Sequence, residues 1–207
     1  MPLDLRAVLA PDHTAVVTSE VQNGVVGPSS VLPELADAAT RMIPNVVCLC
    51  RAARAAGGQV VHCVGVRRAD GRGSNTNARL FLGVRKSPVT LLPGSDEASV
   101  VPELGPEEGD LVLSRLHGLN PMAGTDLDPV LRNLGVTTVV VTGVSVNVAV
   151  TNLVMDAVNL GYQVVLPRDA VAGVPADYAD AVIDNTLSLL ATVTTTAEVL
   201  ATWAGPS

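Results

Sequence analysis

Aromatic side chains are almost missing from this chain: Phe81, Tyr162, Tyr178 and Trp203 are the only ones in 207 residues. Aliphatic groups must fill the interior instead, and valine alone supplies 36 positions. That points to a core of β-branched strands covered by helices of small residues. Positive charge is also scarce, with 13 lysines and arginines against 20 acidic residues and a net charge of −7. Such a balance argues against nucleic acid or an anionic membrane surface as the main partner. No uninterrupted apolar run approaches the roughly 18 residues that cross a bilayer. The opening MPLDLRAVLAPDHT lacks the basic start and apolar stretch of a signal peptide. Cys48, Cys50 and Cys63 make an odd number without framework spacing and read as buried thiols of a cytoplasmic protein. Cys48-x-Cys50 has no second pair to complete a zinc site. What the chain has in abundance is apolar residues, 48% of the total against 16% charged, with a mean hydropathy of +0.40. Disorder is thereby excluded, and the length suits one domain over residues 1–207.

The first strand signal is Thr14–Ser19, and a loop punctuated by glycine and proline, EVQNGVVGPSS, follows it. Residues 31–56 carry a helical pattern that Gly57-Gly58 ends, and Pro44 inside it predicts either a kink or two helices. Residues 59–66 form a second buried strand. The polar stretch RRADGRGSNTNAR comes next, then a short apolar helix near Leu80. Residues 86–109, with four prolines and three glycines, form an excursion outside the core. Strand and helix then alternate regularly: strands at 110–114, 137–142, 162–166 and near 191–193, helices at 127–134, 147–160 and 176–189. A C-terminal helix closes the chain, with Thr194–Thr196 able to cap it. Helix follows strand without hairpin signals or internal repeats. The pattern predicts a Rossmann-like α/β fold of three layers, α/β/α, with a mostly parallel sheet of about six strands.

Ligands of such sheets bind beyond the carboxyl ends of the strands, where the strand order reverses. After the first strand come Glu20, Gln22 and Asn23, and after the strand at 110–114 come Arg115 and His117. After TTVVVT come Gly143, Val144 and Ser145, leading into a helix near Asn147. One acid, one permanent cation and a helix N-terminus thus converge on one crevice, where free backbone N–H groups can receive an anion or a developing oxyanion.

Three segments resemble the isochorismatase-like hydrolase superfamily, which includes nicotinamidases, N-carbamoyl amidases and isochorismatases. VVTSEVQNGVVG is similar to the family's first strand and its acid-x-Gln-Asn loop. RLHGLNPMAGTDLDPVLRNLGV is similar to its basic residue and Gly-Thr-x-Leu helix start, and VVVTGVSVNVAVTNLVMDAVNLGYQVVLPRDAVAG to its nucleophile segment. The similarity covers residues 12 to 200. It implies that the catalytic Asp of the family falls on Glu20, the Lys on Arg115 and the Cys on Ala149. Alanine cannot act as a nucleophile, so the thioester route of the superfamily's amidases is closed here. Neither Cys63 in the second strand nor Cys48 and Cys50 in the long helix replaces it. VGVRRADGRGSNTN has no histidine, so the metal cluster of nicotinamidases has no counterpart. The resemblance also implies a cis peptide at Val144–Ser145, with the amides of Ser145 and Ala149 as an oxyanion hole.

True isochorismatases hydrolyse a vinyl ether without a thiol, their carboxylate protonating the enol-ether carbon before water adds. The first expectation is therefore a cofactor-independent, metal-free hydrolase of a small carboxylate-bearing molecule. In it Glu20 is the acid/base, Arg115 an electrostatic clamp, and Ser145, His117 and Gln22 lie against substrate. Arginine beside Glu20 favours the charged carboxylate and burial the neutral acid, and sequence does not decide between them. Blander readings stand beside these. Glu20 and Arg115 can be a structural ion pair, His117 a surface residue, His62 a core residue and Ser145 a turn residue. Gln22 and Asn23 can tie down their loop, and Gly124-Thr125-Asp126 can serve only to cap a helix. The alternative function is a catalytically inactive family member serving as a binding or assembly scaffold, its crevice filled by Glu20, Arg115 and Leu116 or Met122. The apolar balance and the segment 147–160 lead us to expect a homo-oligomer, a dimer or tetramer.

Overall fold

Valine-rich runs bounded by glycine and proline fold, among the described residues, into seven strands: β1 (Thr14–Ser19), β2 (Gln59–Gly65), β3 (Leu111–Arg115), β4 (Thr138–Val144), β5 (Gln163–Pro167), β6 (Val171–Ala172) and β7 (Thr192–Thr194). The structure, a computed structural model, describes residues 4–30 and 32–204. Val31, where the sequence pattern opens the long helix, lies outside the described residues. Six strands run in the order β3-β2-β1-β4-β5-β7, and the two-residue β6 pairs with β4. Every one of these pairings is parallel, so the fold is the α/β one with a six-strand parallel sheet. The central strands β1 and β4 are buried at every position, which is why TAVVTS and TVVVTGV read as continuous apolar and threonine runs. At the edge, β3 alternates instead, with Val112 and Ser114 exposed.

Among the described residues eight α-helices complete the layers: α1 (Leu5–Val8), α2 (Asn23–Val26), α3 (Pro33–Ala56), α4 (Arg79–Arg85), α5 (Leu127–Asn133), α6 (Thr151–Asn159), α7 (Ala176–Asn185) and α8 (Thr196–Trp203). On one face Val16, Val60, Val140 and Val165 pack with Leu49 of α3 and Val199 of α8. On the other, Val17, Val61 and Val141 pack with Leu131, Leu153 and Ile183 of α5, α6 and α7. Pro44 does not divide α3. Leu35, Ala39, Met42, Val46, Leu49 and Ala53 form a buried stripe along the whole helix. At about 1.5–3 kcal/mol for each large side chain, that stripe outweighs the roughly 3 kcal/mol an interior proline costs. Gly57 ends the helix at φ 84°, a left-handed position that glycine adopts without strain. Thr195 caps α8: its hydroxyl accepts from Glu198 N, and its own N–H donates to Glu198 Oε2 at 3.0 Å.

Three expectations need correction. Cys48 is exposed rather than buried, because it lies on the solvent side of α3, whereas Cys50 and Cys63 are buried. The segment 147–160 is not a plain helix. A π-helical turn, Val146–Val150, precedes α6, and the Val150 amide reaches back five residues to the Ser145 carbonyl at 3.0 Å. The strand expected at 110–114 runs one residue further, so Arg115 closes β3 instead of following it. Among the described residues no helix is long and apolar enough to cross a membrane.

Candidate active site

The chain moves from β1 through β2 to β3 on one side, then crosses to β4 on the other side of β1. The strand order therefore reverses between β1 and β4, and a crevice opens at their carboxyl ends. Glu20 leaves β1 there at φ 55°, the only non-glycine residue among those described with a positive φ. A left-handed glutamate costs on the order of 1–3 kcal/mol and persists only where its surroundings hold it. They do so through the backbone: Glu20 N donates to Cys63 O at 2.9 Å. Beneath it, Gln22 is completely buried. Its Nε2 donates to the carbonyls of Gly65 (2.9 Å) and Ala98 (2.8 Å), and its Oε1 accepts from Gly65 N at 2.7 Å. Gln22 thus anchors the loop and does not line the crevice, and Asn23 does the same work by donating to Asp96 O at 3.0 Å.

Arg115 Nη2 donates to Glu20 Oε1. The arginine side chain is 8% exposed and the glutamate 24%. Arg115 Nε and Nη1 are buried and have no partner among the described residues. Gly65 makes room for this pair: a Cβ there would stand 3.3 Å from Arg115 Nη1 and 3.5 Å from Glu20 Oε1. Cys63, on the neighbouring strand position, is the thiol nearest in sequence to this loop contact. Burial pushes it up to about 12, so it stays protonated at neutral pH and is no thiolate nucleophile.

The second half of the site comes from β4. The Val144–Ser145 peptide is cis, as the family resemblance implies, and Ser19 Oγ donates to the Val144 carbonyl at 3.1 Å. The Ser145 carbonyl receives the amides of Val148 (3.1 Å) and Val150 (3.0 Å); that of Ala149, between them, is not among its donors outside the turn. Glu20, Arg115, Ser145, Ala149 and His117 all line one cavity of about 250 Å³. His117 is exposed at its rim, and Gly118 N donates to Asn75 Oδ1 at 2.8 Å, joining the loops after β2 and β3. Leu116 also stands at the rim, whereas Met122 is buried in the core on the α5–α7 face. Among the described residues no three His, Cys, Asp or Glu side chains gather as a metal group would.

Other singled-out residues lie elsewhere. His62 is in the core, where Nδ1 meets Thr18 Oγ1 at 3.0 Å and Nε2 meets Asp110 Oδ2 at 3.3 Å. At the start of α5, Thr125 Oγ1 accepts from Leu127 N at 3.2 Å, while Asp126 in the cap position makes no side-chain bond. Sequence reasoning missed Arg67, Phe81 and Leu91, which form a cavity wall. The rule applied after β1, β3 and β4, looking just beyond a strand's carboxyl end, leads to Arg67 when applied after β2.

Likeness to known proteins adds weight to this geometry. The isochorismatase domain family matches residues 14–198. A ureidoacrylate amidohydrolase, RutB of Agrobacterium fabrum (strain C58), is 30% identical over 185 residues, covering 82% of this chain and 80% of that protein. An N-carbamoylsarcosine amidase of Arthrobacter is 30% identical over 131 residues; the match covers 63% of this chain and spans about half, 49%, of the amidase. Among solved structures, a cysteine hydrolase from Pseudomonas syringae pv. phaseolicola 1448A superposes with a TM-score of 0.84 at 27% identity, covering 95% of both chains.

Proposed function

The chain belongs to the isochorismatase family, and from that premise we propose that it is a hydrolase of a small carboxylate-bearing molecule that works without a cysteine nucleophile. The observation that carries this reading is Glu20, held in a left-handed conformation against Arg115 on a cavity that Ala149 also lines. Relatives named as amidases and amidohydrolases support hydrolysis as the reaction class. Ala149, at the position where the resemblance puts the thiol, removes the thioester step and favours direct addition of water.

In this reading Glu20 moves the proton. Arg115 Nη2 holds one carboxylate oxygen, Oε1, and no hydrogen bond among the described residues occupies the other. Oε2 then serves as acid or base toward water or the reacting carbon. Arg115 cannot deprotonate, so it contributes charge and not a proton. Its charge acts from behind the surface, and the amides of Ser145 and Ala149 are available for negative charge that develops on the substrate. His117 at the rim and Ser145 contact the bound molecule, and no cofactor enters the scheme. Self-association as a dimer or tetramer is part of the same proposal.

A second reading has an observation of its own. Arg115 is almost wholly buried in its pair with Glu20, as in a structural ion pair of an inactive scaffold. Turnover separates the two. In the hydrolase reading Glu20→Gln lowers kcat by about 10²–10⁴-fold on an accepted substrate while the fold is retained. Unchanged turnover in that variant removes Glu20 from the chemistry.

A further inference from the structure

The chain carries a net charge of −7, yet the charged residues lining the cavity are three arginines, Arg67, Arg85 and Arg115, and a single acid, Glu20. Glu20 and Arg115 neutralise each other, which leaves Arg67 and Arg85. Among the described residues neither forms an ion pair with a carboxylate; Arg6, Arg41, Arg51, Arg72 and Arg79 form none either, but those five do not line the cavity. Two unmatched guanidiniums in an acidic protein, both turned onto the same cavity, call for an anion from outside.

Arg67 is the better placed of the two. It lies two positions beyond the end of β2, and its own N–H donates to the Leu91 carbonyl at 2.8 Å. Its Nη1 donates to the carbonyl of Val84, in the last turn of α4, at 3.1 Å. The guanidinium is therefore held on a fixed wall and does not sweep through solvent. Its Nε is buried without a partner. Arg85, on the same helix end, is exposed and adds charge at the mouth. Around them the wall is apolar: Leu80, Phe81, Val84, Val89 and Leu91, with the only phenylalanine of the chain among them. A volume of about 250 Å³ stands near the lower end of ligand sites.

We infer that Arg67 is the specificity-determining residue of this cavity, and that its ligand is a small monocarboxylate with an apolar body. The carboxylate sits on Arg67, the body lies against Phe81 and Leu91, and the other end faces Glu20 and Arg115. The two arginines thus divide the work: Arg67 selects the acid, and Arg115 stays with Glu20 at the reacting end. A charge-assisted, two-pronged contact to a guanidinium gives an acid about tenfold or more over its neutral isostere. This inference rests on reading the cavity as the substrate site, but not on hydrolysis taking place there.

Binding tests it without any turnover. The full chain is titrated calorimetrically with 3-phenylpropanoate, its neutral amide 3-phenylpropanamide, and acetate, which lacks the apolar body. The expected result is that the acid binds at least about tenfold tighter than the amide, with acetate weaker than the acid, and that the margin shrinks as salt is raised. Arg67→Gln should erase the difference between acid and amide, and Arg67→Lys should keep part of it. A wild-type chain that binds neither compound, or binds them equally, overturns the inference. So does an Arg67→Gln variant that keeps the full preference, because Arg67 would then be only a strut for α4. If Arg67→Gln fails to fold, Arg67→Lys decides: a reduced preference supports the assignment and an unchanged one overturns it. Loss of turnover in Glu20→Gln bears on the hydrolase reading alone, so the two fail separately.

Discussion

Gly65 shows how tightly the site is built at the scale of single residues. Its missing side chain leaves space that Arg115 Nη1 and Glu20 Oε1 border at 3.3 and 3.5 Å from a would-be Cβ. Gly65→Ala should therefore displace the pair by a few tenths of an ångström without unfolding the protein. Misplacement of a catalytic group by about 1 Å costs up to ~100-fold, so a loss of about tenfold in kcat is expected with an almost unchanged Tm; paired measurements of both check it. The identities of Glu20, Arg115 and Ala149 were legible in the sequence, because each stands immediately at a strand end or inside a long motif. The ion pair was legible only as an alternative, since no spacing rule sets how a side chain turns. Gln22 illustrates the same limit: its residue type fits substrate or backbone equally, and complete burial among carbonyls decides for the backbone.

The junctions between elements carry the next level of constraint. Gly143, at φ 100°, lets β4 pass β1 so closely that a Cβ would stand 2.3 Å from the Ser19 carbonyl oxygen. Because that neighbour is backbone, Gly143→Ala should cost about 3 kcal/mol, or roughly 6–12 °C in Tm, as thermal melting would register. A buried polar chain runs from β1 through β2 to the start of β3 and on to α3. Thr18 donates to His62 Nδ1 and His62 Nε2–H donates to Asp110, which Arg54 grips through Nε (3.0 Å) and Nη2 (2.6 Å). Burial pushes His62 below its ordinary 6.5, although Asp110 pulls the other way. The unfolded chain then accepts a proton near pH 6.5 that the folded chain refuses. Stability should fall as pH drops below about 6.5, and His62→Gln should flatten that part of the curve in denaturant titrations. Asp110→Asn, which strips Arg54 of a partner only 3% exposed, should destabilise by about 3 kcal/mol. Strand and helix order was readable because β1 and β4 are buried throughout and α3 carries one apolar stripe. The π-helical turn at Val146–Val150 was not, since its cause is the geometry of the turn after β4 and no residue type announces it.

At the scale of the whole molecule, two distributions matter, charge and exposed apolar surface. The negative excess lies outside a cavity whose own lining is positive, which composition alone conceals. The segment 147–160, whose apolar circumference suggested self-association, spends Leu153, Val154 and Ala157 in the core. Met155 and Leu160 of that segment remain exposed, Leu189 is the most exposed, and on α4 and the edge strand β3 Leu80, Leu82, Val84 and Val112 are each about half exposed. Neighbouring exposed aliphatic side chains of this kind are a candidate contact surface. Light scattering at micromolar concentration should give the mass of a dimer or tetramer, and Leu82→Glu should lower it; a monomeric wild-type mass would end the oligomer proposal.

Turnover of a small carboxylate-bearing substrate that the wild-type chain accepts, compared with that of Glu20→Gln after iodoacetamide has alkylated the exposed Cys48, bears most directly on thiol-free hydrolysis. The expected result is turnover that survives alkylation and falls by at least about 100-fold in Glu20→Gln. Turnover that alkylation abolishes, or equal turnover in the variant, would contradict it.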